Sequence, residues 1–182
     1  MRRHLRSHLP YLLAWTTLWA LCYGSLLLGL EHLVGGDTTG QYHAFALHQA
    51  REMRHLRLPV WTPYSYGGAS FVGDVQAAVF YPPRWLTILL STPWGDLPYY
   101  ALELEALLHV WLGGVFVYVL AHDLTRDRRA ALLGAVVYAL GGYLASYPLL
   151  QFPILETVIW LPLALWLLRR AVGAARPWPW LA

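Results

Sequence analysis

The chain has 182 residues, of which 58% are hydrophobic and only 13% are charged. An average soluble domain has roughly a quarter of its residues charged, so this composition argues against a soluble globular protein. A disordered chain is excluded as well, because 15% of the residues are aromatic and disorder requires low hydrophobicity with high charge. The single cysteine, Cys22, excludes a disulfide framework and a thiolate zinc site, since both need several sulfurs.

Four apolar stretches are predicted to be membrane-spanning helices. About 20 apolar residues cross the hydrocarbon core, since each helical residue rises roughly 1.5 Å and the core is roughly 30 Å thick. Backbone amides in lipid must be hydrogen-bonded within their own segment, which favours helices. Glycines such as Gly113 and Gly114, with Gly134, Gly141 and Gly142, are predicted to let these helices pack closely. The predicted spans are residues 11–30, 101–121, 130–147 and 152–168.

The arginines predict the orientation of these spans. Nine of the 13 arginines lie in three segments: the N-terminal tail, the 122–129 loop and the C-terminal tail. They are Arg2, Arg3, Arg6, Arg126, Arg128, Arg129, Arg169, Arg170 and Arg176. The positive-inside rule places these three segments in the cytoplasm, so residues 31–100 and the short turn at 148–151 face outward. Because the first apolar stretch is long for a signal peptide and lacks a small-residue cleavage site, it is predicted to be an uncleaved anchor.

The expected fold is therefore an all-α integral membrane protein, with residues 1–182 forming a single multi-pass membrane domain. Its outward loop of about 70 residues is too long for a simple connector, and loops of this length are usually functional or disordered. Apolar residues spaced by three or four predict an amphipathic helix from Gln41 to Arg57, suited to the membrane surface. Pro59 ends this helix and a turn-rich extended segment follows. A second juxtamembrane helix is predicted from Trp85 to Leu90, which is too short to span.

The motifs of this loop resemble a known family. An acidic residue just outside the first span, the amphipathic helix, Leu58 to Tyr64, the Gly67-Gly68 pair and Asp74 to Pro83 are similar to the first periplasmic loop of YfhO-like bacterial membrane proteins. Trp160 to Leu163 in the fourth span also fits, so the resemblance covers essentially the whole chain. That family belongs to the GT-C superfamily of membrane glycosyltransferases.

The resemblance implies sugar transfer from a polyprenyl-phosphate carrier to a cell-envelope glycan or lipid on the outer face of the bacterial cell membrane, generally with inversion at the anomeric carbon. The partners it implies are the bilayer, the lipid-linked sugar and the acceptor. Relatives carry many more spans, so it also implies that these 182 residues are the N-terminal part of a larger protein.

Asp37 is the catalytic candidate. In GT-C enzymes an acidic residue at the start of the first outward loop acts as a base or helps to bind a metal, and Asp37 occupies that position. The competing interpretation is a helix cap for the segment that begins at Thr38. The resemblance allows a divalent metal ion but does not require one, and no spacing of His, Asp and Glu predicts a metal site.

Three groups of loop residues are candidates for substrate binding. The set comprises His48, Arg51, His55, Trp61, Tyr64, Tyr66, Asp74, Gln76 and Tyr81. The basic members fall on one helical face and suit a carrier phosphate, although anionic headgroups would select the same residues. The aromatic members could stack on sugar rings or belong to the interfacial aromatic belt. Asp74 and Gln76 could bind sugar hydroxyls, and a turn-forming aspartate is the alternative.

A non-enzymatic transport or assembly component is the main alternative function. Glu103, His109 and Glu156 would then form a polar pathway between helices, since ionisable groups in a membrane need water or a partner. His109, four residues after Glu105, could pair with that carboxylate. An inactive fragment is a further alternative. Nucleic-acid binding has no support, because most arginines follow the membrane rule.

Overall fold

The computed structural model describes residues 2–35, 37–91, 93 and 95–173, with residues 2–6 described by their backbone only. The described chain is mostly helical. Its helices are α1 (Arg2–Cys22), α2 (Gly24–Leu27), α3 (His43–Arg54), α4 (Pro82–Ser91), α5 (Tyr99–Thr125), α6 (Arg128–Ala139), α7 (Phe152–Val158) and α8 (Leu161–Val172). A short antiparallel hairpin pairs β1 (Trp61–Thr62) with β2 (Ala69–Ser70). A π-helical turn at Thr38–Tyr42 precedes α3, and short 3₁₀ segments occur at Val75–Ala77 and Pro148–Leu150.

Within the described residues, two stretches are long and apolar enough to cross a membrane: Tyr99–Thr125 and Phe152–Val172. They coincide with the second and fourth predicted spans. The total of four spans stays a prediction. The first predicted span is helical over residues 11–27 apart from Tyr23. The prediction of one helix over 130–147 is wrong, because α6 ends at Ala139 and residues 140–147 form bends and turns. The adjacent pair Gly141-Gly142 accounts for this ending, since glycine in a helix loses more conformational entropy than other residues.

The fourth predicted span is divided into α7 and α8. Pro162 has no backbone N–H, so it cannot donate the helical hydrogen bond to the carbonyl of Val158. The Tyr138 hydroxyl donates to that carbonyl instead, at 3.0 Å. A side chain of α6 thus satisfies the backbone group that the proline leaves without its helical partner.

The largest buried cluster includes the contact between α1 and α5. Trp15 is fully buried and donates its indole N–H to the carbonyl of Trp111 at 3.1 Å. A Cβ atom at Gly114 would lie 2.3 Å from Trp15 Cζ2, and one at Gly113 would lie 3.3 Å from Ile159 Cγ2. The predicted role of these two glycines in close helix packing is confirmed.

We expect Gly114→Ala to destabilise the fold by about 1–3 kcal/mol, the usual cost of overpacking a tight contact. Gly142→Ala is the matched control, because a Cβ there meets nothing within 4 Å. The measurement is denaturant unfolding of the detergent-solubilised protein. Equal midpoints for the two variants would show that Trp15 can move away at no cost.

Candidate functional site

The start of the long loop that follows the first predicted span is fixed to the adjoining end of α5. Glu103 is buried, and its carboxylate accepts the backbone N–H of Leu33 at 2.5 Å and lies 2.8 Å from His32 Nδ1. The Tyr99 hydroxyl donates to the carbonyl of Leu33. Glu103 therefore serves as an anchor for the chain that leads to Asp37.

Asp37 is exposed, and its carboxylate lies beside the turn at residues 148–151. Its backbone carbonyl accepts the N–H groups of Gln41 and Tyr42 at 2.9 and 3.0 Å, while its side chain makes no capping hydrogen bond. The carboxylate instead accepts Gln151 Nε2 at 3.1 Å. Asp37 thus occupies the N-cap position of the π-helical turn without capping it through its side chain, and its catalytic role stays a prediction.

Gln151 links Asp37 to the π-helical turn. Its amide oxygen accepts a hydrogen bond from the hydroxyl of Tyr42 at 2.5 Å, while its amide nitrogen donates a hydrogen bond to the Asp37 carboxylate. Burial, together with the nearby Asp37 charge, raises the pKa of the Tyr42 hydroxyl. Tyr42 therefore remains a hydrogen-bond donor, and this fixes the orientation of the Gln151 amide toward Asp37.

A cavity of about 740 Å³ lies between α3 and the β1–β2 hairpin. Asp37 itself does not line the cavity, whereas Gly40 and Gln41, three and four residues later in the chain, belong to its wall. Phe45 and Phe71 supply part of its apolar surface. Six of the nine predicted substrate-binding residues line this cavity: His48, Arg51, Tyr64, Tyr66, Asp74 and Gln76.

The two basic residues of the cavity already have protein partners. His48 Nε2 lies 3.0 Å from the carbonyl oxygen of Trp61. Arg51 makes a two-pronged contact with Asp96, with Nη2 at 2.6 Å from Oδ2 and Nε at 3.3 Å from Oδ1. Hydrogen bonding from Arg51 holds the pKa of Asp96 below its ordinary value. A phosphate that bound to Arg51 would have to share the guanidinium with Asp96 or displace it.

Asp74 combines a turn-forming role with a place in the cavity wall. Its carboxylate accepts the N–H of Gln76 at 2.9 Å and so caps the 3₁₀ segment. The Gln76 side-chain oxygen accepts Gln41 Nε2 at 2.6 Å. In the described part of the chain, no group of three or more His, Cys, Asp or Glu residues is placed to hold a metal ion.

Three predicted binding residues lie outside the cavity wall. His55 is exposed just beyond the end of α3. The Trp61 ring packs on Gly68, where a Cβ atom would lie 2.4 Å from Trp61 Cζ2. Tyr81 lies among the helices, with its hydroxyl 2.5 Å from His109 Nε2 and accepting Trp160 Nε1 at 3.0 Å. The half-buried Tyr81 therefore contacts the helices and not the cavity.

His109 uses both ring nitrogens in this arrangement. Its Nδ1 lies 2.6 Å from the backbone oxygen of Glu105, which can only accept a hydrogen bond. Nε2 is therefore the acceptor for the Tyr81 hydroxyl, and burial raises the pKa of that hydroxyl. The predicted pairing of His109 with the Glu105 carboxylate is replaced by a bond to the backbone carbonyl.

Arg84 has a structural role that was not predicted from the sequence. This buried residue of α4 lies 3.1 Å from both carboxylate oxygens of Glu105 through Nε, and its Nη2 lies 2.6 Å from Glu156 Oε1. Burial alone would lower the pKa of Arg84, but the Glu156 and Glu105 carboxylates outweigh burial and raise it. We call these three residues the buried charge cluster. It holds α4 against α5 and α7, and the carboxylates in apolar stretches were the signal that an arginine partner was needed.

No match to this chain was found among protein-family models, curated proteins or solved structures. The similarity of the loop to YfhO-like proteins remains a prediction from its motifs. The positions of Asp37 and of the cavity are the observations that bear on function.

Proposed function

We propose that this chain is a multi-pass membrane protein whose outward loop forms the catalytic face of a GT-C-type glycosyltransferase. It would transfer a sugar from a polyprenyl-phosphate donor to a cell-envelope glycan or lipid. The observation that carries the proposal is the exposed Asp37 carboxylate, which accepts Gln151 Nε2 at 3.1 Å and precedes by three residues Gly40, a residue of the cavity wall. Asp37 is also the residue that the family motif places in the catalytic position.

Contacts between distant segments support the predicted topology. At the predicted outward end of the helices, the loop contacts the turn at residues 148–151 through the hydrogen bond between Asp37 and Gln151. It also contacts α7 at this end, through Arg84 and Glu156. At the other end, Asp123 lies 3.0 Å from Arg169 Nε. The N-terminal tail reaches that end as well, since His8 Nδ1 lies 2.9 Å from the Tyr118 hydroxyl. The side chains of Arg2, Arg3 and Arg6, and all of Arg176, lie outside the described residues.

In the proposed mechanism, Asp37 orients the acceptor hydroxyl and takes its proton as the hydroxyl oxygen attacks the anomeric carbon. The bond between that carbon and the carrier phosphate breaks, and the phosphate leaves with the electron pair. Attack from the opposite face inverts the anomeric centre. Because phosphate is already a good leaving group, positioning and electrostatics supply most of the rate enhancement.

The cavity residues would position the donor. His48 and Arg51 would contact the carrier phosphate, with Arg51 exchanging Asp96 for the phosphate. Tyr64 and Tyr66 would border the sugar ring.

The test compares two classes of donor in permeable membranes that contain the full chain. We expect radiolabelled sugar to reach an envelope acceptor from a polyprenyl-phosphate donor and not from a nucleotide sugar. Membranes that lack the chain are the control. Equal incorporation from the nucleotide sugar would overturn the donor class, and no incorporation from either donor would count against sugar transfer.

We expect Asp96→Asn to lower the KM for the lipid-linked donor by on the order of a few-fold, because Arg51 would no longer be held by a carboxylate. The turnover number should change little, since Asp96 is not placed at the reacting atoms. Glu52→Gln is the matched control, as it removes a similar pair, with Arg57, at 3.0 Å. A KM that rises or stays constant in Asp96→Asn would remove Arg51 from the phosphate site.

A further inference from the structure

Three arginines surround one aspartate at the inward end of α5 and α8. Arg169 Nε lies 3.0 Å from Asp123 Oδ2, while Arg126 Nη2 and Arg170 Nη1 lie 3.4 and 3.8 Å from Oδ1. The Asp123 side chain is only 8% exposed, whereas the side chains of Arg126, Arg169 and Arg170 are 71, 49 and 60% exposed, respectively. The aspartate therefore gathers the guanidinium groups at one place without burying them.

The charge of this cluster is not balanced by its own members. Three positive charges face one negative charge, which leaves an excess of two. The C-terminal ends of α5 and α8 contribute roughly half a negative charge each, which removes about one unit of that excess. The site therefore keeps a net positive charge of about one unit and still attracts an anion.

The guanidinium groups also keep hydrogen-bonding capacity for a ligand. Each arginine has five N–H donors in a planar fork that matches phosphate oxygens. Arg169 donates a hydrogen bond to Asp123 at 3.0 Å, while the nearest nitrogens of Arg126 and Arg170 lie 3.4 and 3.8 Å from that carboxylate. Neutralising one aspartate thus accounts for a small part of the donors assembled here.

A cavity of about 540 Å³ adjoins these arginines, and one side of it is apolar. Leu165, Leu168 and Val172 of α8 belong to its wall and are exposed. A ligand of this cavity would meet cationic donors at the helix ends and aliphatic side chains along the helix. An amphiphile with a phosphate headgroup has both features.

We propose that this site binds the headgroup phosphate of an anionic phospholipid from the inner leaflet, with an acyl chain along the exposed aliphatic side chains of α8. Basic pockets between helix ends on the cytoplasmic side are suited to such headgroups. The inference depends on the proposed topology and not on sugar transfer, because the site lies at the opposite end of α5 from Asp37 and the loop.

The experiment is native mass spectrometry of the full chain, purified in detergent, delipidated and then supplied with phosphatidylglycerol or phosphatidylcholine. We expect phosphatidylglycerol to be retained at least about fivefold better than phosphatidylcholine. The double variant Arg169→Gln/Arg170→Gln should lose that preference, whereas Arg169→Lys/Arg170→Lys should keep most of it. Arg57→Gln, which removes an exposed arginine from the opposite end of the molecule, should behave like the unaltered protein.

Two further arms separate the source of the phosphate and guard against a folding defect. Inorganic phosphate at the same concentration should not displace phosphatidylglycerol, because it lacks the chain; displacement would overturn the lipid as the ligand. In the unaltered protein, raising the ionic strength should release phosphatidylglycerol and leave phosphatidylcholine retention unchanged. Salt-insensitive retention, or equal retention of phosphatidylglycerol by the glutamine variant and by Arg57→Gln, would overturn the proposal.

Discussion

Asp37→Asn is expected to lower sugar transfer by on the order of 10²–10⁴-fold, the usual contribution of a positioned acid or base. The amide has nearly the shape of the carboxylate, and its oxygen can still accept Gln151 Nε2. It cannot take up the proton of an attacking hydroxyl. Membrane insertion and folding should therefore be unchanged, which size-exclusion chromatography and protease resistance would show alongside the transfer assay.

Glu31→Gln is the matched control for this variant. Glu31 is another exposed carboxylate in the outward segment, and it accepts the Ser25 hydroxyl at 2.6 Å. Its neutralisation should leave transfer close to that of the unaltered protein. Full transfer activity in Asp37→Asn would remove Asp37 from the mechanism, and an equal loss in both variants would reduce its role to general surface charge.

Arg84→Met is expected to destabilise the protein by about 3–5 kcal/mol, the usual cost of removing one partner from a buried ion pair. The variant leaves the carboxylates of Glu105 and Glu156 buried and without the guanidinium that both contact. The loop helix α4 would lose its charged connection to α5 and α7. Denaturant unfolding of the solubilised protein measures the effect, and Arg57→Met is the exposed control.

Removing all three charges should restore most of the lost stability. Replacing a buried ionic group by hydrophobic residues of similar size is often neutral or stabilising, so Arg84→Met/Glu105→Met/Glu156→Met is expected to unfold close to the unaltered protein. A single variant Arg84→Met as stable as Arg57→Met would show that the buried charge cluster does not hold the loop in place.

The sequence allowed the loop elements and Asp37 to be located because their signals are local. Pro82 and Pro83 mark the start of α4, and a lone acidic residue after an apolar stretch is visible without a structure. The end of α3 was predicted less well, because the helix ends at Arg54, before the predicted end at Arg57 and five residues before Pro59. The partners of these residues could not be read in the same way. Arg84 meets carboxylates 21 and 72 residues away in the chain, and Gln151 is 114 residues from Asp37.

The third and fourth predicted spans show why element lengths were less predictable than element types. The fourth span was predicted as one helix although it contains Pro162, and the hydroxyl that bonds to the carbonyl left without its helical partner belongs to Tyr138 on another helix. The predicted substrate-binding residues lie partly on the cavity wall and partly outside it for a similar reason. Tyr64 and Tyr66 lie on the cavity wall, while Tyr81, equally aromatic in the sequence, is hydrogen-bonded to His109 and Trp160 of the helical part.

The most direct measurement is the sidedness of sugar transfer in sealed vesicles that contain the unaltered protein. Donor and acceptor would be supplied only to the face that corresponds to the outside of the cell, and separately only to the cytoplasmic face. Transfer from the outside face alone is the predicted result, because the proposed topology places the Asp37 carboxylate and the loop cavity on that side. Transfer confined to the cytoplasmic face, or no transfer above vesicles without the protein, would contradict the account.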